Sequence, residues 1–84
     1  MDNNQTTTLV QNVQALLVEA LRLPEAQVTP DLAFGDLPQW DSMGHMEVMM
    51  LLEERFGVEI NTDNIAALTS VAAISTYLQE NGHA

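Results

Sequence analysis

Residues 38–58 read PQWDSMGHMEVMMLLEERFGV, and the fold depends on how the segment between Asp41 and Gly57 is taken. Asp41 and Ser42 are both good helix N-caps, because a side-chain oxygen can accept from backbone N–H groups that have no partner inside the helix. Gly57 supplies the matching stop, since glycine enters the left-handed conformation that ends helices. Between them the apolar residues recur at helical spacing, which predicts a helix from Asp41 or Ser42 to about Phe56. At about 100° per residue, Met46, Met49, Leu52 and Phe56 form one arc, expected to be core. Met43, Glu47, Met50 and Glu54 form a second arc of mixed thioether and carboxylate character, expected to be exposed.

Upstream, residues 1–5 are polar and expected to fray, while Thr6, Thr7 and Thr8 offer an N-cap for a first helix. On its wheel Leu9, Val10, Val13, Leu16, Leu17, Ala20 and Leu21 gather on one side, with Gln11, Gln14, Val18 and Arg22 opposite. That helix must end before Pro24. From Leu23 to Trp40 all three prolines and Gly35 occur without a sustained period, which predicts a long loop containing at most a short helical turn. Val28, Leu32, Phe34 and Leu37 are available to anchor it, and Trp40 is assigned the same anchoring role in preference to packing over a ligand. Downstream, Val58 and Ile60 are placed in the core in extended form. Thr62 is a cap for a short helix over 64–68, and Thr69 or Ser70 caps a last helix built on Val71, Ile74 and Leu78 that stops at Asn81 and Gly82. No strand pattern competes. The expected fold class is all-α, a four-helix bundle with one short member and a long connection between the first two helices.

The chain has 84 residues, 46% of them hydrophobic, and no cysteine. One small core is expected, spanning about residues 6–80 of a single domain over 1–84, with no disulfide or thiolate metal site to hold it. Twelve acidic residues against two arginines give a formal net charge of −10. Such a polyanion is repelled by nucleic acid and by anionic lipid but is steered toward proteins with basic surfaces, and its self-repulsion favours a monomer. The longest apolar run, Val48 to Leu52, is far short of a membrane span, and DNNQTTT has no signal-peptide pattern. A free-standing, soluble, cytoplasmic protein is expected.

Three readings of Ser42 are open, the third argued from the resemblance given below. It can be a helix cap. It can be a nucleophile with His45 as base, although no G-x-S-x-G elbow is present and both would project from one helix without an orienting carboxylate. It can be a hydroxyl that another enzyme modifies. His45 reads better as structural or exposed than as a ligand, and His83 falls in the C-terminal tail.

The stretch W-D-S-M-G-H-M-E-V-M-M-L-L-E-E-R-F-G-V-E-I resembles the modification site of acyl carrier proteins. In that family Asp-Ser-Leu opens the second helix, and a Leu-Glu-x-x-Phe-x-x-x-Ile pattern closes it; Leu52, Glu53, Phe56 and Ile60 reproduce the ending with its spacing. The likeness extends more loosely over nearly the whole chain. It implies that Ser42 receives 4'-phosphopantetheine from coenzyme A, that Asp41 assists the phosphopantetheinyl transferase, and that the arm's thiol carries acyl groups. The chain itself would be non-catalytic and bind no metal. The resemblance also assigns the second helix to partner recognition, through Met43, Glu47, Met50 and Glu54 with a contribution from Glu53, toward an acyltransferase, ketosynthase or ligase with a basic docking surface.

The chain departs from the family in several places. Met43 follows the serine where Leu is usual, Gln39-Trp40 precedes it in place of a Gly or Leu-Gly, and Gly44 and Arg55 stand where fatty-acid members often have acids. These differences favour a polyketide or specialised acyl pathway, with a fatty-acid carrier or a D-alanyl or aminoacyl carrier as alternatives. An acidic helical interaction domain that is never modified is the alternative from another class. Met46 and Met49 are read either as core filling or as flexible residues that let the interior yield to an attached chain.

Overall fold

The computed structural model describes the backbone of residues 3–81 and the side chains of residues 8–81. Four helices follow one another: α1 (Asn3–Leu21), α2 (Ser42–Phe56), α3 (Thr62–Ala67) and α4 (Val71–Glu80), with a single 3₁₀ turn at Glu25–Gln27 in the long first connection. The described residues contain no strand, only an isolated antiparallel bridge between Ala33 and Ser70. α1 packs against both α2 and α4, and α3 rests on α2. The expected all-α bundle with one short helix is therefore the observed architecture.

Helix α1 starts earlier than the threonine caps suggested, at Asn3. Residues 3–5 contain no glycine or proline, so once the apolar stripe docks, the helix extends backwards at little cost. Leu9, Val13, Leu16, Leu17 and Leu21 are buried, as the periodicity predicts. Val18 is half-buried rather than solvent-facing, and Gln14 is also partly covered because its Nε2 donates to the Val28 carbonyl at 2.7 Å. That bond ties the long connection to α1. The helix ends with Arg22 in the left-handed region at φ 57° and Leu23 N–H reaching back to Val18 O at 3.2 Å, a closing pattern that usually selects glycine. Pro24 then prevents continuation.

The connection is ordered by what it buries. Val28, Leu32 and Trp40 are core residues and Leu37 is partly covered. Phe34 is not an anchor of this kind: it is 42% exposed. Its backbone carries the restraint instead, with Phe34 N–H donating to Thr69 O at 2.9 Å and Val71 N–H to Leu32 O at 3.0 Å. These bonds lash the loop to the junction of α3 and α4.

Around α2 the buried residues are His45, Val48, Met49 and Leu52, a stripe rotated from the expected arc. Met46 is 39% exposed and Phe56 only half-buried. The rotation has a steric origin. A Cβ on Gly44 would overlap the Gln39 carbonyl oxygen and press on Leu21 Cδ2 at 2.9 Å, so the bare backbone of Gly44 is the surface on which the loop and α1 dock. Placing Gly44 there turns His45 and Val48 inward and Met46 toward solvent. At the far end Gly57 adopts φ 71°, as its position after Phe56 predicts.

Val58 is buried and Ile60 partly so. The cap of α3 is Asn61, whose side chain accepts from Asn64 N–H, so Thr62 is the first helical residue rather than the cap, and the helix starts two residues and ends one residue earlier than expected. Asn ranks above Thr as an N-cap. Ser70 caps α4 by accepting from Ala73 N–H at 2.9 Å. The helix ends at Glu80 with Asn81 as its C-cap; Gly82 and His83 lie outside the described residues.

Gly44→Ala tests the docking contact. Alanine raises helix propensity by up to about 1 kcal/mol, whereas overpacking a closed contact costs about 1–3 kcal/mol. Urea unfolding should show net destabilisation, and a stabilised variant would refute the contact.

Candidate functional site

The start of α2 is built from three segments that meet. Asp41, in extended conformation, is the N-cap: its Oδ1 accepts from Gly44 N–H at 2.9 Å. Ser42 is therefore the first helical residue and not the cap, which removes the simplest structural reason for its hydroxyl. The residue is exposed. The chain has two other serines, and neither is comparable: Ser70 Oγ is occupied in capping α4, and Ser75 is buried with no hydrogen-bond partner for its Oγ. Ser42 alone among the three presents a hydroxyl to the outside at a helix N-terminus, where first-turn amides lack intrahelical partners and the helix dipole favours an anion.

Beside it lies an open groove of about 350 Å³, lined by Phe34, Ser42, His45, Met46, Ile65 and Thr69. Its walls are mostly apolar. A phosphodiester on Ser42 would sit next to free amides at one end of this groove, so the residues present fit a phosphopantetheine group. Phe34, Ile65 and Thr69 were not placed beside Ser42 from the sequence, because they come from the loop and from the α3 region and meet Ser42 only through the tertiary fold.

Beneath Ser42 runs a buried polar chain. Trp40 Nε1 and His45 Nδ1 are 3.1 Å apart, and His45 Nε2 lies 2.8 Å from the Ile65 carbonyl. An indole nitrogen can only donate and a carbonyl oxygen can only accept. His45 therefore accepts at Nδ1 and donates from Nε2–H. Phe34 meets the imidazole edge-on, with ring centroids 5.7 Å apart at 80°. Trp40 is fully buried, which bears out its role as an anchor, and His45 is structural. Both nitrogens are committed to the interior, so His45 cannot take a proton from Ser42, and the nucleophile–base pairing of these two residues is ruled out by geometry.

The outer surface of α2 collects the other residues the sequence singled out. Met43 is 81% and Met50 53% exposed, and Glu47, Met50, Leu51, Glu53 and Glu54 border a shallow groove. Arg55 does not oppose this charge outward, because its guanidinium pairs with Glu19 of α1. None of the described helices is long and apolar enough to cross a membrane.

A family model described as a phosphopantetheine attachment site matches residues 11–78. The chain is also 36% identical to the acyl carrier protein of Helicobacter pylori (strain G27) over 73 residues, which is 87% of this chain and 94% of that protein. It is 33% identical to the acyl carrier protein of Helicobacter acinonychis (strain Sheeba) over the same shares. Fold and site define a small helical bundle with an exposed serine at the head of its second helix. The chain belongs to the phosphopantetheine attachment-site family and is an acyl carrier protein, and its cofactor is covalently attached 4'-phosphopantetheine.

The cap predicts a separation of roles at Asp41. Removing it with Asp41→Ala should cost about 1 kcal/mol of stability, whereas Asp41→Asn, which keeps an acceptor for Gly44 N–H, should lose only a few tenths. Thermal unfolding of the two variants measures the difference; equal losses would show that the carboxylate does not act as a cap.

Proposed function

We propose that Ser42 is the residue that carries the 4'-phosphopantetheine arm and that this chain shuttles acyl intermediates of a polyketide or specialised acyl pathway. The observation that carries the reading is the exposed hydroxyl of Ser42 at the first position of α2, relieved of capping by Asp41. When bound, the group supplies a thiol on a long flexible tether, on which acyl chains ride as thioesters. The chain's part is to present the hydroxyl to a transferase, to hold first-turn amides beside the resulting phosphodiester, and to offer docking surface. Having no cysteine, it adds no competing thiol.

Asp41 has a double task in this reading. It caps α2 from one carboxylate oxygen, and its negative charge beside Ser42 helps the transferase bring coenzyme A and its metal to the hydroxyl. Met43, Glu47, Met50, Glu53 and Glu54 form the recognition face for acyltransferase, ketosynthase or ligase partners with basic, partly apolar docking sites. The pathway assignment rests on this face. Gly44 lacks an acid for a steric reason and so carries no information about partners, and Arg55 is neutralised by Glu19. The exposed thioethers of Met43, Met46 and Met50 are the distinguishing feature, suited to adaptable apolar contacts. Met46 acts from the groove beside Ser42 rather than from the core. The carrier works as a cytoplasmic monomer, consistent with its charge.

Intact mass decides the attachment. Incubation with coenzyme A, Mg²⁺ and a broad phosphopantetheinyl transferase should add one arm, lost in Ser42→Ala and retained in Ser70→Ala. An unmodified chain across several transferases would favour the interaction domain that is never loaded.

Charge reversal tests the face. Glu47→Lys with Glu54→Lys should slow loading or acyl transfer about tenfold at low salt, with the gap closing as ionic strength rises, because steering charges are screened. A gap that persists unchanged in high salt would count against electrostatic docking there.

A further inference from the structure

The Trp40–His45–Ile65 chain has no task in the reading above beyond filling the interior, yet its position is specific. Trp40 and His45 are five residues apart, and the bond between their side chains, 3.1 Å long and buried, closes a ring through Asp41, Ser42, Met43 and Gly44. Ser42 lies inside that ring. From the other side of the imidazole, Nε2–H reaches Ile65 O at 2.8 Å. α3 spans only Thr62–Ala67 and has no buried residue of its own, and Ile65 O belongs to its last turn, where carbonyls lack intrahelical partners. One side chain therefore closes the loop onto the start of α2 and caps α3 against it.

We propose that His45 is a positioning residue for Ser42: held as the Nε2–H tautomer between Trp40 and Ile65, it sets the angle at which the first turn of α2 leaves the loop, and with it the presentation of the Ser42 hydroxyl. This inference rests on Ser42 being the loaded residue. Phe34 meets the ring edge-on from the same loop that supplies Trp40, so the imidazole is clasped from the loop on one side and from α3 on the other.

Two measurements decide this. In a His83→Ala background, which leaves one imidazole, the ¹⁵N shifts of His45 in the unmodified chain should report a protonated Nε2 and a bare Nδ1; the opposite tautomer would overturn the clasp. Loading efficiency, kcat/KM with a fixed transferase, should be about fivefold lower in Trp40→Phe than in the parent near neutral pH, the factor an ordinary hydrogen bond is worth. Equal loading of parent and Trp40→Phe would refute the proposal. His45→Gln, which retains an acceptor and a donor, should load better than His45→Leu; equal loading of these two would refute the proposal, and this comparison decides it if Trp40→Phe does not fold. Should the parent chain accept no arm at all, the attachment at Ser42 fails, and the clasp is then judged on the tautomer and on amide exchange of Gly44 and His45, whose N–H groups are bonded to Asp41. The clasp requires that exchange to quicken about fivefold in Trp40→Phe; unchanged exchange would refute it.

Discussion

Burying a histidine is tolerable only where both ring nitrogens find partners of the right kind, and His45 meets that condition through two residues from different parts of the chain. Trp40 ends the long connection, and Ile65 lies in the shortest helix. An orphaned donor or acceptor in such a place costs about 1–3 kcal/mol, a large share of what a small domain has to spare. The loop, the start of α2 and α3 are consequently coupled: none can shift far without breaking one of these two bonds. Gly44 reinforces the coupling sterically, since its bare Cα lets the Gln39 carbonyl and Leu21 close onto the same turn.

A carrier of this kind makes contradictory demands on its surface. The attachment point must be open to successive enzymes, while the backbone around it must stay in place so that each enzyme meets the same geometry. The structure answers by dividing the work among neighbours. Asp41 satisfies the helix terminus and leaves the Ser42 hydroxyl free. His45, one turn further on, points inward and holds the turn from below. Met43, Met46 and Met50 point outward and supply apolar contact without a fixed shape. In the proposed reading, acidic groups along the same helix add long-range attraction for basic partners, a contribution that acts on encounter more than on final affinity.

Much of this was legible in the residue order. The periodicities of α1 and α4, the Gly57 stop, the Ser70 cap and the anchoring of the loop by Val28, Leu32 and Trp40 all depend on local spacing or on single-residue preferences, and these survive folding. The reading went astray where a third body decided the outcome. The wheel of α2 placed Met46 and Phe56 inward because it weighed hydrophobicity alone; the contact of Gly44 with Gln39 and Leu21 rotated the helix and put a histidine in the core. Phe34 looked like an anchor, but the loop is held there by backbone bonds to Thr69 and the ring is left half open. Thr62 was read as the cap of α3, but Asn61 takes that place by accepting from Asn64 N–H.

Taken by itself, the amino-acid order determined an acidic, cysteine-free, four-helix bundle with Asp41 and Ser42 at the head of the second helix, because capping, periodicity and charge are properties of neighbours along the chain. Only the tertiary structure decided which of Asp41 and Ser42 would cap, which face of α2 would be buried, and that Phe34, Ile65 and Thr69 would border the serine. Those outcomes are contacts between residues remote in sequence, and contacts of that kind are settled by how whole elements pack rather than by what any one of them prefers.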